Sequence, residues 1–251
     1  MRTELTAVER ESFKADGFLA IPDFLEPDEI DELESAVLDV ISGYAAGGAS
    51  PESNLVHHMN PFQSSPRIRK FSTDPRLAQF SADLTGMDDV RLYQDMIAVK
   101  LPWGGPTAWH MDVPRISFTS DQAVSYWFPL VDVTLSNACL YYLPGVHTEK
   151  RAECGAAYPM DELARIDPAW TRIEPVPTPC PRGGVVLHDG YAPHGTNGNM
   201  SARPRTAFVI THMPDGATFD GTPNLVQPGE MPVGTPLDDE SRFPLVFRRS
   251  A

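Results

Sequence analysis

Apolar positions recur at helical spacing in the first third of the chain and at strand spacing through its middle. Pro27 stands where a first helical residue belongs, and Asp28 and Glu29 follow in the first turn, which suits the positive end of a helix dipole. Ile30, Leu33, Val37, Leu38, Ile41 and Tyr44 then mark one face. This stripe predicts a helix packed on a core. A shorter helix is expected to open at Thr6 or Glu9 and to stop near Asp16 and Gly17, followed by a strand over residues 18–22. A second helical patch covers 65–84, with Pro75 opening its later part and Gly86 near its end. Residues 43–53, rich in Gly, Ala and Ser, read as a loop.

From Val90 the period shortens to two. Residues 90–100 alternate as a strand does, and 123–134, 138–143, 184–188 and 206–212 are further strand candidates. Turn signals separate them at Gly104-Gly105, Pro144-Gly145, Gly183-Gly184 and Asn197-Gly198. Helices first and short strands after predict a mainly β fold with flanking helices, a sandwich or a barrel. Residues 213–251 are rich in Pro, Gly and Asp and are expected to wrap the surface. No repeat or linker divides the sequence. The expected organisation is one domain over 1–251, with a mostly helical buttress at 1–89, a β core at 90–212 and the tail at 213–251.

Composition narrows the function. The 251 residues suffice for a sizeable core, and 25 prolines favour turns over a helical bundle. A formal net charge of −14 with no Lys/Arg cluster argues against nucleic acid, anionic membrane surfaces and highly anionic substrates, unless a local basic pocket overrides the global sign. Cys139, Cys154 and Cys180 form no C-x-x-C pair, which argues against a zinc knuckle and fits a reducing cytosol. The first residues lack the apolar stretch of a signal peptide, and no apolar run reaches the roughly 18 residues of a membrane span. A cytoplasmic protein acting on a small molecule is expected; its oligomeric state is not readable.

The chemistry is carried by His110-Met111-Asp112, read with His194. A His and an Asp two apart on a strand share a face. Two imidazoles and a carboxylate on one side of a metal leave the other positions open, as non-haem Fe(II) requires for a co-substrate and O2. Arg205 lies eleven residues after His194 (205 − 194) and Ser201 seven after it (201 − 194). A guanidinium grips a carboxylate in bidentate fashion, and a hydroxyl adds another hydrogen bond. Such a pair would anchor a dicarboxylate co-substrate. Arg203 competes with Arg205 for this role. His188, just before the Asp189-Gly190 turn, is a rival ligand.

H-x-D followed by the H-G-x-x-x-N-x-S-x-x-P-R pattern that opens at His194 resembles the phytanoyl-CoA dioxygenase (PhyH) branch of the Fe(II)/2-oxoglutarate oxygenases. The stretch from Asp16 to Leu25 and the W-x-x-L-x-D run from Trp127, continued by Asn137 to His147, fit the same family; Ala138 and Val146 depart from its usual Gly and Ser. The resemblance covers about residues 10 to 212. It implies a double-stranded β-helix, the cupin-like jelly roll, with His110, Asp112 and His194 as iron ligands. It further implies Arg205 and Ser201 on the far carboxylate of 2-oxoglutarate, Lys100 contacting the co-substrate and Trp127 packing against it. Gln94 lies an even number of residues from Lys100 and so shares its face, within reach of substrate or co-substrate. His57, His58 and Arg115 are candidate substrate contacts at the pocket mouth. Trp109 and Met111, beside the first ligand, are expected to point away from the metal.

The implied reaction is oxidation of a C–H bond in a small metabolite, by default hydroxylation. Cyclisation, epimerisation and desaturation begin with the same hydrogen abstraction. Halogenating relatives lack the carboxylate that Asp112 supplies, which argues against that outcome. A preference for Arg over Lys suggests a GC-rich bacterial genome, where such enzymes tailor secondary metabolites. The alternatives are a metal-binding β-helix protein without turnover, serving as sensor or scaffold, and a zinc hydrolase on the same barrel.

Overall fold

The computed structural model describes residues 1–44, 55–150, 167–222 and 231–249. Helix α1 (Ala7–Asp16) opens with a capping box: the Glu9 N–H donates to the Thr6 hydroxyl, and the Glu9 carboxylate accepts from the Thr6 N–H at 2.8 Å. Gly17, in the left-handed conformation at φ +84°, stops it and turns the chain into β1 (Phe18–Ile21). Helix α2 (Pro27–Tyr44) follows as its spacing predicts, and β2 (Leu55–Met59) comes next. From residue 45, the loop expected over 43–53 lies outside the described residues. The patch expected over 65–84 is two helices, α3 (Pro66–Ser72) and α4 (Pro75–Thr85), capped by Ser65 and Asp74. Pro75 has no N–H to continue α3 and suits a first helical position, so the chain restarts there.

The remaining strands are β3 (Asp89–Lys100), β4 (Thr107–His110), β5 (Val124–Pro129), β6 (Leu140–Tyr142), β7 (Val176–Thr178), β8 (Val185–Asp189), β9 (His194–Thr196), β10 (Arg205–Pro214) and β11 (Leu245–Arg248). They form a seven-stranded sheet in the order β1-β8-β5-β10-β3-β11, with β2 also on β3, and a four-stranded sheet in the order β4-β9-β6-β7. The paired strands are antiparallel throughout. This is the double-stranded β-helix that the resemblance implies. Two of the first 89 residues' elements, β1 and β2, belong to the large sheet. In the tail, β11 pairs with the start of β3, and Arg91 holds the preceding loop by donating to the Phe243 carbonyl at 2.7 Å and to Glu240 at 2.8 Å.

Alternation along the large sheet divides its side chains between two cores. Leu19, Ile21, Ile97, Val99, Tyr126, Phe128, Leu187, Phe208 and Ile210 point outward and meet Phe13, Ile30, Leu33, Val37, Ile68, Leu77 and Phe80 of the helices. The intervening residues Phe18, Trp127, Val186, Ala207 and Val209 face inward, against Leu140 and Tyr142 of the small sheet. Phe18 and Tyr142 stack at 4.4 Å. Trp109 and Met111 join a third cluster with Val113, Ile116 and Tyr191, at one end of the barrel. No helix among the described residues is long and apolar enough to cross a membrane.

The helix side contains one fully buried carboxyl, Asp95. It accepts from the Ser72 hydroxyl at 2.7 Å and the Phe62 N–H at 3.3 Å, and its own carbonyl accepts from the Asn60 N–H at 2.8 Å. Burial raises its pKa from 3.8 to about 7, against the lowering effect of those donors. Between these two values the native state therefore holds a proton that the unfolded chain releases. Stability should fall as pH rises through that window, by at most about 1.4 kcal/mol per pH unit from this group. Urea unfolding free energies measured from pH 5 to pH 8 should show that slope up to about pH 7 and level off above it, and Asp95→Asn should remove it.

Candidate metal centre and its anion pocket

His110 ends β4 and His194 begins β9, and the two are direct cross-strand partners in the small sheet. Their rings lie 4.2 Å apart. Each is oriented by the same local device. Nδ1–H of His110 donates to the Ala108 carbonyl at 2.9 Å, and that of His194 to the Ala192 carbonyl at 3.0 Å. A carbonyl only accepts, so Nδ1 carries the proton and Nε2 presents its lone pair to the barrel interior. Asp112 arrives differently from the sequence expectation. The strand stops at His110, and Asp112 sits in a helical bend (φ −76°, ψ −48°) that opens a 3-10 turn. Its Oδ1 lies 4.0 Å from Nε2 of both histidines. The three donor atoms fall within 4.8 Å of one another.

The other carboxylate oxygen is committed to protein. Asp112 Oδ2 accepts from Ser125 Oγ at 2.7 Å and from His188 Nε2 at 3.0 Å. Tyr142 donates to His188 Nδ1 at 2.9 Å, which fixes the tautomer that gives His188 a proton at Nε2. The structure thus makes His188 a support for the carboxylate instead of a rival ligand. Burial alone would raise the Asp112 pKa, but the His188 hydrogen bond and the neighbouring imidazoles hold it well below the usual carboxylate range. Burial lowers the pKa of His110 and His194. The site is therefore an ionised carboxylate with two neutral imidazoles, the protonation state a divalent metal needs.

A second charge lies further along the barrel. Arg205, at the start of β10, is 3% exposed, and its Nε and Nη1 have no hydrogen-bond partner. Its guanidinium lies over the Trp127 ring, 5.1 Å from the centroid. Burial lowers its pKa to about 10, so it remains charged at neutral pH. Directly opposite, Lys100 is fully buried and donates to Thr196 Oγ1 at 2.6 Å, Thr107 Oγ1 at 2.8 Å and the Gly105 carbonyl at 2.9 Å. An ion left without a partner in such a place costs several kcal/mol. Open N–H groups on a buried guanidinium mark a place for an oxyanion.

The model of one family, phytanoyl-CoA dioxygenase (PhyH), matches residues 13–207. The chain belongs to the PhyH family. Among solved structures the chain is similar to SnoK, the non-haem α-ketoglutarate-dependent carbocyclase of nogalamycin biosynthesis. SnoK is 26% identical, with a TM-score of 0.85 and 97% of each chain covered. A methylphosphonate hydroxylase of Gimesia maris is 25% identical over 84% of this chain and 82% of its own length. The phytanoyl-CoA dioxygenase domain-containing protein 1 of Mus musculus is 31% identical over 54% of this chain, which spans about half (49%) of that relative. The relatives of this chain are named as dioxygenases, a hydroxylase and an α-ketoglutarate-dependent carbocyclase. The donor set of His110, Asp112 and His194 fits iron, and the open N–H groups of Arg205 fit a carboxylate of 2-oxoglutarate.

The other sequence-predicted residues fall into place unevenly within this PhyH barrel. Trp127 braces the Arg205 guanidinium. Gln94 and Lys100 do share the inward face, but Gln94 lies in the middle of β3 and Lys100 at its end: Gln94 approaches Thr211 at 3.5 Å, and Thr211 meets Ser125 at 3.2 Å, beside Asp112. The three protons of Lys100 are engaged by Thr196, Thr107 and the Gly105 carbonyl, so the direct contact with a co-substrate that the resemblance implies has no free donor here. Those two threonines were not foreseen, although Thr196 lies two residues past His194 and shares its face. Ser201 donates within its own turn, to Asn199 Oδ1 at 2.7 Å and the Arg203 carbonyl at 3.0 Å, and shapes the approach to β10. Arg203 is exposed. His57 faces Ala98 and lies on the barrel side of β2, whereas His58 pairs with Ile97, whose side chain is in the helix-side core. Arg115 is exposed in the turn after Asp112.

His188→Asn and Tyr142→Phe should each weaken metal binding by about ten- to a hundredfold by freeing the Asp112 carboxylate. Anaerobic calorimetric titration with Fe(II) or Mn(II) measures this, and unchanged affinity in both would remove the supporting role.

Proposed function

We propose that this chain is an Fe(II)- and 2-oxoglutarate-dependent oxygenase that oxidises an unactivated C–H bond of a small metabolite in bacterial secondary metabolism. The observation that carries the reading is Arg205, a buried, stacked and unpaired guanidinium in the same barrel as a two-histidine, one-carboxylate site. A sensor, a scaffold or a zinc hydrolase has no use for that cation. The likeness to SnoK supports the choice of a natural-product substrate. Bound iron, 2-oxoglutarate and O2 together supply the oxidising power to remove a hydrogen atom from carbon.

The residues of the chain divide the remaining work. His110, His194 and Asp112 hold the metal from one side and leave its other positions open. Arg205, held flat on Trp127, takes the far carboxylate of the co-substrate as a bidentate partner. The Thr196 hydroxyl accepts from Lys100 and from the Thr107 N–H at 3.2 Å, which leaves its own proton to donate into the pocket. Phe18, Val186 and Val209 keep the interior dry, so these polar contacts act at low dielectric.

Adding Fe(II) and 2-oxoglutarate without oxygen should produce a visible charge-transfer band. Arg205→Ala should weaken 2-oxoglutarate binding by at least about a hundredfold while keeping metal affinity. Absence of the band, together with no succinate formed from any substrate, would overturn the proposal.

Lys100 supplies a second test. Burial first, and then the charge of Arg205, lowers its pKa to about 7. A dianion arriving beside Arg205 favours the ammonium form, so 2-oxoglutarate binding above pH 7 should take up as much as one proton. Calorimetry in buffers of different ionisation heat reads the uptake, and Lys100→Met should abolish it.

A further inference from the structure

The inward face of the large sheet leads from the co-substrate end toward solvent at β2. Lys100 and Arg205 are one cross-strand pair, and Ala98 and Ala207 are the next on the same face. His57 lies directly opposite Ala98, on the edge strand, so its imidazole flanks a stretch walled by two methyl groups. Across the mouth, the chain turns sharply after Asp112. The N–H groups of Arg115 and Ile116 both donate to the Asp112 carbonyl, at 2.8 and 3.1 Å, and the N–H of Val113 donates to the Gly190 carbonyl at 2.9 Å. Val113 and Ile116 are buried, which pins the turn, while Arg115 between them is exposed. The guanidinium is thus mounted on a fixed rim three residues from a metal ligand.

The carboxylate nearest to Arg115 in the chain, Asp112, is engaged by Ser125 and His188. Among the described residues no carboxylate makes an ion pair with Arg115. Both His57 and His110 feel the Arg115 charge, and His57 also feels Arg205. His57 is exposed yet surrounded by protein groups, as a residue in the wall of a cleft is. Burial and these charges lower its pKa, which leaves a neutral imidazole able to donate one hydrogen bond. In a chain of net charge −14, a patch of this sign at the pocket mouth is a local reversal. The anion for Arg205 is the co-substrate, and the one inside the metal site is Asp112. Arg115 has neither.

We infer that Arg115 and His57 form an oxyanion subsite at the mouth of the metal pocket, and that the substrate carries a carboxylate or phosphonate which this pair holds while the bond to be oxidised faces the metal. Arg115 binds the two oxygens as a fork, and His57 adds a single donor. The inference rests on the proposed function for the place of the pocket, and it adds the charge class of the substrate. Anionic substrates are then drawn to the mouth by a fixed charge on a rigid turn.

The test uses full-length protein loaded with Mn(II) and saturating 2-oxoglutarate, because Mn(II) relaxes the protons of any small molecule bound nearby. The probes are benzoate, phenylphosphonate and the neutral isostere benzamide. In the wild type, one or both anions should bind and be relaxed, and benzamide should not; which anion binds distinguishes carboxylate from phosphonate. Arg115→Gln should weaken anion binding by about tenfold or more, with Arg115→Lys between the two and His57→Gln showing a smaller loss. Affinity for 2-oxoglutarate, measured separately, should stay unchanged in every variant. Relaxation of benzamide equal to that of the anions, or of neither anion, would overturn the inference. So would Arg115→Gln binding as well as wild type, or anion binding that 2-oxoglutarate competes away. Loss of 2-oxoglutarate affinity in Arg115→Gln would assign the arginine to the co-substrate instead. Failure of the wild type to bind Mn(II) with 2-oxoglutarate would strike the proposed function itself, and the subsite with it.

Discussion

The period-two alternation of the large sheet governs everything else in this molecule. It sends one set of side chains into a helix-covered apolar core and the other into the barrel, where the charges are. The two environments treat ionisable groups in opposite ways. On the helix side Asp95 has the Ser72 hydroxyl and backbone N–H groups as donors and, among the described residues, no cation, so burial drives it toward its neutral form. On the barrel side Asp112 is partly exposed, and it stays ionised because His188, Ser125 and the imidazoles of His110 and His194 surround it. The same residue type is a neutral pin in one layer and a metal-ready anion in the other.

Within the barrel Asp112 and Arg205 are compensated in opposite ways. Asp112 is oversupplied: one oxygen takes both a hydroxyl and an imidazole proton, which holds the second toward the histidines. Arg205 is undersupplied: an aromatic face supports it, and Nε and Nη1 are open. Cation–π contact contributes about 2 kcal/mol or so when desolvated, less than the several kcal/mol that burying an unpaired ion costs. The balance is restored only by an anion. The fold spends stability here to hold a binding site in its working shape.

Much of this was legible in the sequence, and what was not has identifiable causes. The structure brings together His110, Asp112 and His194, the three residues that the pattern singled out. The reason first given for Asp112 was nonetheless incorrect: it reaches the site through a turn, since the chain leaves the strand at His110. Gln94 and Lys100 share a face as parity requires, but parity is silent on distance along the strand. The same parity applied to His194 would have found Thr196. The side on which His57 lies could not be read at all, because a five-residue edge strand takes its facing from its partner, and β3 lies about forty residues downstream (98 − 57 = 41). β11 was missed for a related reason, being a four-residue addition to the edge of β3.

Lys100 shows how far a residue's role can differ from its charge. Its ammonium has three protons, and three oxygen acceptors within 2.9 Å take them: the hydroxyls of Thr196 and Thr107 and the carbonyl of Gly105. No direct donor is then left over for a ligand. A hydroxyl that accepts from an ammonium is polarised toward donating its own proton, so the charge is passed on through Thr196. Those bonds also tie the end of β3 in the large sheet to β4 and β9 of the small one, between Arg205 and His194. A change at Lys100 therefore alters the spacing of the two halves of the site as well as its electrostatics. This explains why a lysine can be fully buried beside a second cation: it acts as a strut between the strand that pairs with Arg205 and the strands that carry His110 and His194.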